Sequence, residues 1–408
     1  MINSNLGILS DRNAFIVFIS QLVSTICDKM MSIGLIWYLT TTYSINVVPW
    51  FLTVSFLPHI FMSFHSSKII GNLGILKIVI GSEIFRGVVL ILLFASLFFI
   101  PEKTDSFLYV LFAAVFLVGI GSSLFNPAIL SLPPSLVEEE KVPSLNALLD
   151  MSFSISSILG AACSIFLLNV FDIKILVLIN ALSFFAAALL QSRVKMKTPA
   201  FAEIAETKSL TPKEVLKKYP LIKRMLLSFL FINVIFTPIL VMIPWYVDNV
   251  FKGTGSDLAL IEGAMGLGAF LTGIYLSVNA GAVRPEKRVG MIAIVCFFFG
   301  LFFQVFSFSS STGEASVLLF LIGVLSTYLN VQVLTYFQTT LKEYEVPSIM
   351  VLVNIISAAA MPLSFAISGL LFPIVEIPQF ALICGLLTTL ISFFMPSYLK
   401  VKTIEGNV

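Results

Sequence analysis

Residues 14–41 read AFIVFISQLVSTICDKMMSIGLIWYLTT, an apolar run whose charged residues, Asp28 and Lys29, sit side by side near its middle. About 20 apolar residues cross the hydrocarbon core of a bilayer as a helix, so this stretch is read as a membrane span. It is too long for the core of a cleaved signal peptide, and Arg12 is the only basic flank ahead of it. Runs of the same kind follow at 47–64, 76–99, 107–131, 144–168, 173–192, 222–247, 257–280, 289–309, 315–341, 347–372 and 376–396, which makes twelve spans. Of 408 residues, 58% are hydrophobic and 11% charged, and the mean hydropathy is +1.03. That composition describes an integral protein of the lipid bilayer. Short loops, one charged central stretch and two tails leave no room for a sizeable soluble catalytic, receptor or nucleic-acid-binding domain. The net charge of +2 argues the same way.

An even number of spans puts both termini on one side. Lys29 and Arg86 fall within spans, Lys103, Lys174 and Lys252 in the loops opposite the termini, and every other Lys and Arg on the termini's side. The positive-inside rule makes that side cytoplasmic. The largest basic cluster runs from Arg193 to Arg224 and mixes with Glu203, Glu206 and Glu214. It divides the chain into an N-terminal six-helix bundle (1–192), a cytoplasmic linker (193–221) and a C-terminal six-helix bundle with a short cytoplasmic tail (222–408). The halves repeat. VPS occurs at 142–144 and again at 346–348, and at the same offset Gly119 matches Gly323 and Asn126 matches Asn330. The pair Trp37 and Tyr38 recurs as Trp245 and Tyr246. The fold class is therefore an all-α membrane protein with twelve transmembrane helices in two pseudo-symmetric bundles, a plan shared by many secondary transporters with a midplane site.

An ionisable group inside a membrane is costly and faces a bundle interior or a wet cavity, so each one is a functional candidate. On span 1, Gln21, Ser24, Thr25, Asp28 and Ser32 recur at three- and four-residue spacing, a polar stripe along one helical face. Desolvation favours the neutral form of a carboxylate and a nearby cation the charged form. The two influences oppose each other at Asp28, a candidate carrier of a coupling proton. The alternative is an ion pair, with Lys29 or across helices, that only fixes packing. Stripes that include Asn126, Asn233, Asn330, Gln338 and Asn354 on spans 4, 7, 10 and 11, and Asp150 with Ser154, Ser157 and Ser164 on span 5, suit either a substrate-lining role or interhelical hydrogen bonding. Glu262, followed by Gly263, Gly266, Gly268 and Gly273, is a second candidate acid or an end-of-helix residue. Glu83 and Arg86, at i and i+3, can pair and latch helices. Pro127, Pro238, Pro244 and Pro362 interrupt spans and mark flexing places.

Cys27, Cys163, Cys296 and Cys384 all lie in apolar runs without a CxxC pair, and are expected to be free, buried thiols. His59 and His65 have no third ligand candidate beside them, so no metal site is expected. Neither a GxxxxGK[ST] loop nor a GxGxxG turn is present, which argues against ATP-driven or nucleotide-dependent work and for an ion gradient. No GxSxG elbow accompanies the histidines, and no enzyme activity or cofactor is expected.

Several stretches resemble the major facilitator superfamily, and within it the bacterial exporter branch of macrolide-efflux and enterobactin-exporter-like proteins. SQLVSTICDKMMSIGLIWYL at 20–39 resembles that branch's first span and places its acid at Asp28. GSSLFNPAILSLPPSLVEEEKVPSLNAL at 121–148 resembles its fourth span and loop through Asn126, Pro127, Ala128, Leu132, Pro133, Asn146 and Ala147, with a companion pattern at Asn330, Gln338, Glu343 and Pro362. Glu83 and Arg86 resemble the acid and arginine of its third span. The chain departs from the superfamily in SSKIIGNLGILK at 66–77, where Gly71 and Asn72 stand about where Asp and Arg belong. The glycine-proline motif of span 5 is reduced to Gly160, Ala161, Ala162, Cys163 and Ser164.

The resemblance implies a monomeric secondary exporter in the bacterial plasma membrane, moving a small amphipathic organic molecule by proton-coupled alternating access. Asp28 and Glu262 would handle protons, and Gln21, Lys29, Asn126, Asn233, Asn330, Gln338 and Asn354 the substrate. Lys29, as a cavity cation, leans the cargo toward an anionic siderophore. A multidrug or macrolide pump is the alternative, with an importer or a non-transporting membrane protein behind it.

Overall fold

The computed structural model describes residues 10–63, 65–101, 103–138, 141–170, 172–196, 212–278, 285–341 and 346–394. Twelve long helices occupy the predicted spans: α1 (Arg12–Thr42), α2 (Val47–Ser63), α3 (Ile75–Ser96), α4 (Asp105–Ser131), α5 (Val142–Val170), α6 (Ile173–Gln191), α7 (Pro220–Phe236), α8 (Gly255–Val278), α9 (Pro285–Phe306), α10 (Thr312–Thr340), α11 (Val346–Leu371) and α12 (Ile377–Phe394). Among the described residues nine helical spans are long and apolar enough to cross a membrane. Three shorter apolar helices, Val47–Met62, Met151–Ser164 and Ile355–Leu371, lie in α2, α5 and α11.

Polar residues at the loop edges set where the helices start. Asp11 accepts from the Asn13 and Ala14 N–H groups at the start of α1 (2.9 and 3.2 Å), and Ser311 from the Glu314 N–H at the start of α10 (3.3 Å). Such caps satisfy donors that a helix cannot pair internally. Span 7, expected as one run over 222–247, is broken. α7 ends at Phe236, a second helix covers Ile239–Trp245, and a π-helical turn covers Tyr246–Val250. Pro238 and Pro244 lack the N–H groups that would continue the α-helical ladder, and the chain after Pro244 turns π-helical.

The chain forms two compact units, Met1–Ile204 with Thr254–Gly263, and Ala205–Gly253 with Ala264–Val408. They are built alike. In the first, α1 packs on α5 and α6, and α3 on α4 and α6; in the second, α7 packs on α11 and α12, and α9 on α10 and α12. Ser164 on α5 donates to the Met30 carbonyl of α1 (3.0 Å), and Ser364 on α11 to the Val234 carbonyl of α7 (2.7 Å). The repeat-related glycines do the same work. A Cβ on Gly119 would collide with the Ser55 carbonyl of α2, and one on Gly323 with the Met265 carbonyl of α8. Each glycine therefore lets two helix backbones touch.

The four cysteines are free, but Cys163 is exposed and Cys27 only partly covered, while Cys296 and Cys384 are buried. The expectation of four buried thiols is thus corrected. An apolar run in a membrane helix has faces that are not packed against other helices, and Cys163 stands on one of them.

Candidate functional site

The first unit carries a polar seam where α1, α3, α5 and α6 meet. Glu83 and Arg86 on α3 form its most enclosed part, 0% and 4% exposed. Their Oε2 and Nη2 atoms stand 2.7 Å apart, yet neither atom makes a directed hydrogen bond. Charge attraction therefore holds this pair more than bond geometry does. Arg86 Nε leans toward the Ser82 carbonyl of its own helix (3.4 Å). Its guanidinium lies between the Phe125 and Phe184 rings, 4.4 and 4.2 Å from their centroids. Such aromatic faces attract a cation, the more so out of water. Gly121 on α4 makes this seat possible, because a Cβ there would come within 2.6 Å of Arg86 Cγ.

α1 supplies the facing stripe. Ser24 Oγ donates weakly to Glu83 Oε1 (3.4 Å), one turn below Asp28. Asp28 Oδ1 accepts from Asn180 Nδ2 of α6 (3.1 Å), and Asn180 Oδ1 accepts from Ser183 Oγ (3.2 Å). Gln191 Nε2 donates to Ser20 Oγ (3.2 Å) at the other end of the seam. Thr25 Oγ1 and Ser156 Oγ of α5 are 2.5 Å apart. Lys29 turns to another partner: its Nζ lies 2.7 Å from Glu262 Oε2, with the lysine side chain 32% exposed and the glutamate's 2%. Glu262, for which the sequence showed no local partner, thus pairs 233 residues away.

Asn126 and Asn330 are exposed. Asn233 spends its amide on the Phe229 carbonyl of its own helix (2.7 Å). The side chains of Gln338, Asn354, Asp150 and Ser154 lie outside the described residues, as do Lys197, Glu203, Glu206, Lys208, Thr211 and Glu343. Gln21, by contrast, is in the seam's neighbourhood on α1 and 1% exposed. Sequence reading missed the α6 contribution of Asn180, Ser183 and Gln191. A signal was present, since these residues recur at near-helical spacing in an otherwise apolar run. Among the described residues no group of three His, Cys, Asp or Glu side chains is placed to hold a metal.

The arrangement gathers ionisable and hydrogen-bonding groups within the first unit. Asp28 and Glu83 bring two carboxylates and Arg86 one cation into the seam, while Lys29 and Glu262 balance each other. Comparison with known proteins bears on what such a site serves. Residues 17–365 match the Major Facilitator Superfamily. The chain is 21% identical over 409 residues to macrolide efflux protein A of Streptococcus pyogenes, covering 96% of this chain and 97% of that one. Over 147 residues, 36% of this chain and 35% of the other, it is 29% identical to BacE of Bacillus subtilis, a protein named for bacilysin export. Among solved structures, a D-xylose-proton symporter aligns with a TM-score of 0.70 at 13% identity, covering 94% of this chain and 96% of the other. The nucleoside transporter NupG aligns at 0.71 and 12%, covering 95% and 99%. These two likenesses speak to the fold. With twelve helices in two alike units and a family match across most of its length, the chain is a multi-pass membrane transporter that belongs to the Major Facilitator Superfamily.

Proposed function

We propose that this transporter exports a small amphipathic organic molecule across the bacterial plasma membrane in exchange for protons, as a monomer with both termini cytoplasmic. The observation that carries the export reading is the similarity to macrolide efflux protein A along nearly the whole of both chains. Proton coupling rests on Asp28, a partly buried carboxylate on a polar helix face, held by the Asn180 amide rather than locked to a cation. A carboxylate so placed can exchange its proton without first breaking an ion pair. Binding of cargo and proton in alternation would then drive alternating access, with the site near the membrane midplane.

For the cargo, an antibiotic-like molecule is the first reading, because it is what the names of both bacterial relatives point to. The siderophore reading rested on Lys29 as a cavity cation. That ammonium is paired with Glu262 at 2.7 Å, so the pair as a whole no longer favours an anion. The lysine's 32% exposure keeps siderophore export as a second reading.

Both are tested with the intact gene, its deletion and Asp28→Asn. Inverted membrane vesicles with an imposed proton gradient should accumulate erythromycin with the wild-type chain and lose at least about tenfold of that uptake with Asp28→Asn. Unchanged uptake in Asp28→Asn would refute the coupling role, and no uptake by wild type would refute macrolide cargo. Mass spectrometry of supernatants from iron-starved cells then decides the siderophore reading: a chelator lost outside and retained inside the deletion strain supports it, and identical profiles end it.

A further inference from the structure

Asn180 on α6 is 0% exposed, and the two ends of its amide meet different partners. Nδ2 donates to Asp28 Oδ1 (3.1 Å) and reaches Met31 Sδ (3.4 Å), while Oδ1 faces the Ser183 hydroxyl (3.2 Å). That hydroxyl also lies 2.8 Å from the main-chain carbonyl of Asn180. A hydroxyl has one proton to donate and lone pairs with which to accept. With the amide this way round, two acceptors therefore compete for the single Ser183 proton.

This orientation fits an ionised Asp28, which offers acceptors only. A proton on Asp28 Oδ1 sets an O–H against an N–H, and Asn180 is enclosed, so water cannot separate the two donors. A half turn of the amide about its terminal torsion removes the conflict, since oxygen and nitrogen exchange places within nearly the same outline. Asn180 Oδ1 then accepts from the acid, Nδ2 donates to the Ser183 oxygen, and the Ser183 proton rests on the main-chain carbonyl alone. Every partner of that second state is already in place. The charged groups nearest Asp28 have partners of their own. Lys29, its neighbour on α1, pairs with Glu262 of α8, and Glu83 of α3, which faces Asp28 electrostatically, pairs with Arg86. Cys27 is a further ionisable neighbour on α1. The ionisable residues of α5 are Asp150 and Cys163, and α6 has Lys174 alone.

We propose that Asn180 is a positioning residue that follows the proton on Asp28. Its amide turns the N–H end to the carboxylate and the carbonyl end to the neutral acid, and Ser183 takes up the other end in both states. The proton adds to Asp28 Oδ1 and leaves from it; Asn180 and Ser183 exchange hydrogen bonds but neither gains nor loses a proton. The charge state of α1 is thereby passed to the hydrogen bonding of α6. This inference rests on the proton-coupled reading of Asp28 and deepens it.

The test is infrared difference titration of the full chain in lipid vesicles across about pH 5 to 9, the range in which buried carboxyls can titrate. One sample carries carbonyl-13C label in the asparagine side chains, another in the aspartate side chains. On acidification the wild-type chain should show a labelled asparagine carbonyl band that falls in frequency, because a carboxylic O–H is a stronger donor to Oδ1 than a shared serine hydroxyl. The change should be lost in Asn180→Leu and in Asp28→Asn. An amide that stays put while Asp28 loses its charge gives an unchanged or rising frequency, and either result overturns the proposal, as does a falling band that survives in Asn180→Leu. Labelling needs no mutation, so a variant that fails to fold does not remove the test. Asn180→Gln, which keeps an amide, should take the band out of the labelled set. The aspartate sample separates the two readings. If no aspartate band titrates, or if it survives in Asp28→Asn, the proton-coupled reading fails and this inference with it. If Asp28 titrates while the asparagine label stays silent, the relay through Asn180 falls alone.

Discussion

Lys29 and Glu262 are both charged, but they are not equally enclosed, and this sets how each responds to loss of the other. Removing Lys29 leaves Glu262, 2% exposed, as a buried charge without its counter-ion. Removing the Glu262 charge leaves an ammonium on a side chain that is 32% exposed and can swing its head toward water. Lys29→Met is therefore expected to destabilise the protein by about 3–5 kcal/mol. Glu262→Gln should cost less than half as much, and the double variant should recover most of the loss; thermal unfolding of the three in detergent measures the differences. Equal costs for the two single changes would show that enclosure of Glu262 does not govern the pair. Arg86 presents the harsher case, because its partner is fully enclosed. Arg86→Leu at neutral pH should lower the unfolding temperature more than Lys29→Met, and Glu83→Gln/Arg86→Leu should restore part of it.

Helix crossings are decided by single glycines at related positions. Gly119 and Gly323 were recognisable as a repeated pair, but not as contact points until α2 and α8 were seen against them. Gly119→Ala and Gly323→Ala should each destabilise by about 1–3 kcal/mol, since an added methyl must push two backbones apart. Gly71→Ala, at a position where a Cβ would meet nothing within 4 Å, should leave the unfolding temperature unchanged or slightly raised. If all three behave alike, backbone contact is not what the repeat preserves. The break at Thr237 and Pro238 belongs to the same scale. Two prolines in one span were enough to expect a kink, whereas the π-helical register of Tyr246–Val250 depends on packing: the Tyr246 hydroxyl donates to the Ser307 carbonyl (2.8 Å) and its ring meets Phe306.

At the scale of the whole molecule, the placement of Lys and Arg predicts topology. Green fluorescent protein fused after Val408, or ahead of Met1, should fluoresce in both cases, because that protein matures only in the cytoplasm; a dark fusion at either end would overturn the cytoplasmic assignment. The all-helical membrane fold and its two-fold repetition were legible in the chain alone, since a bilayer demands long apolar runs with internally paired backbones and a duplication leaves matching residues at a fixed offset. Asp28 was legible too, as an acid on a polar face. What hydropathy cannot convey is which way each face turns, because lipid and protein interior are equally apolar. That is why Cys163 proved exposed, and why Asn180 and Gln191 on α6 went unnoticed. Partnerships such as Lys29 with Glu262, 233 residues apart, exist only once the chain is folded. The sequence alone determined that the chain spans a membrane as a doubled bundle with an acid in its first helix; only the tertiary structure decided which charges meet, because pairing depends on rotation and depth of helices that composition leaves free.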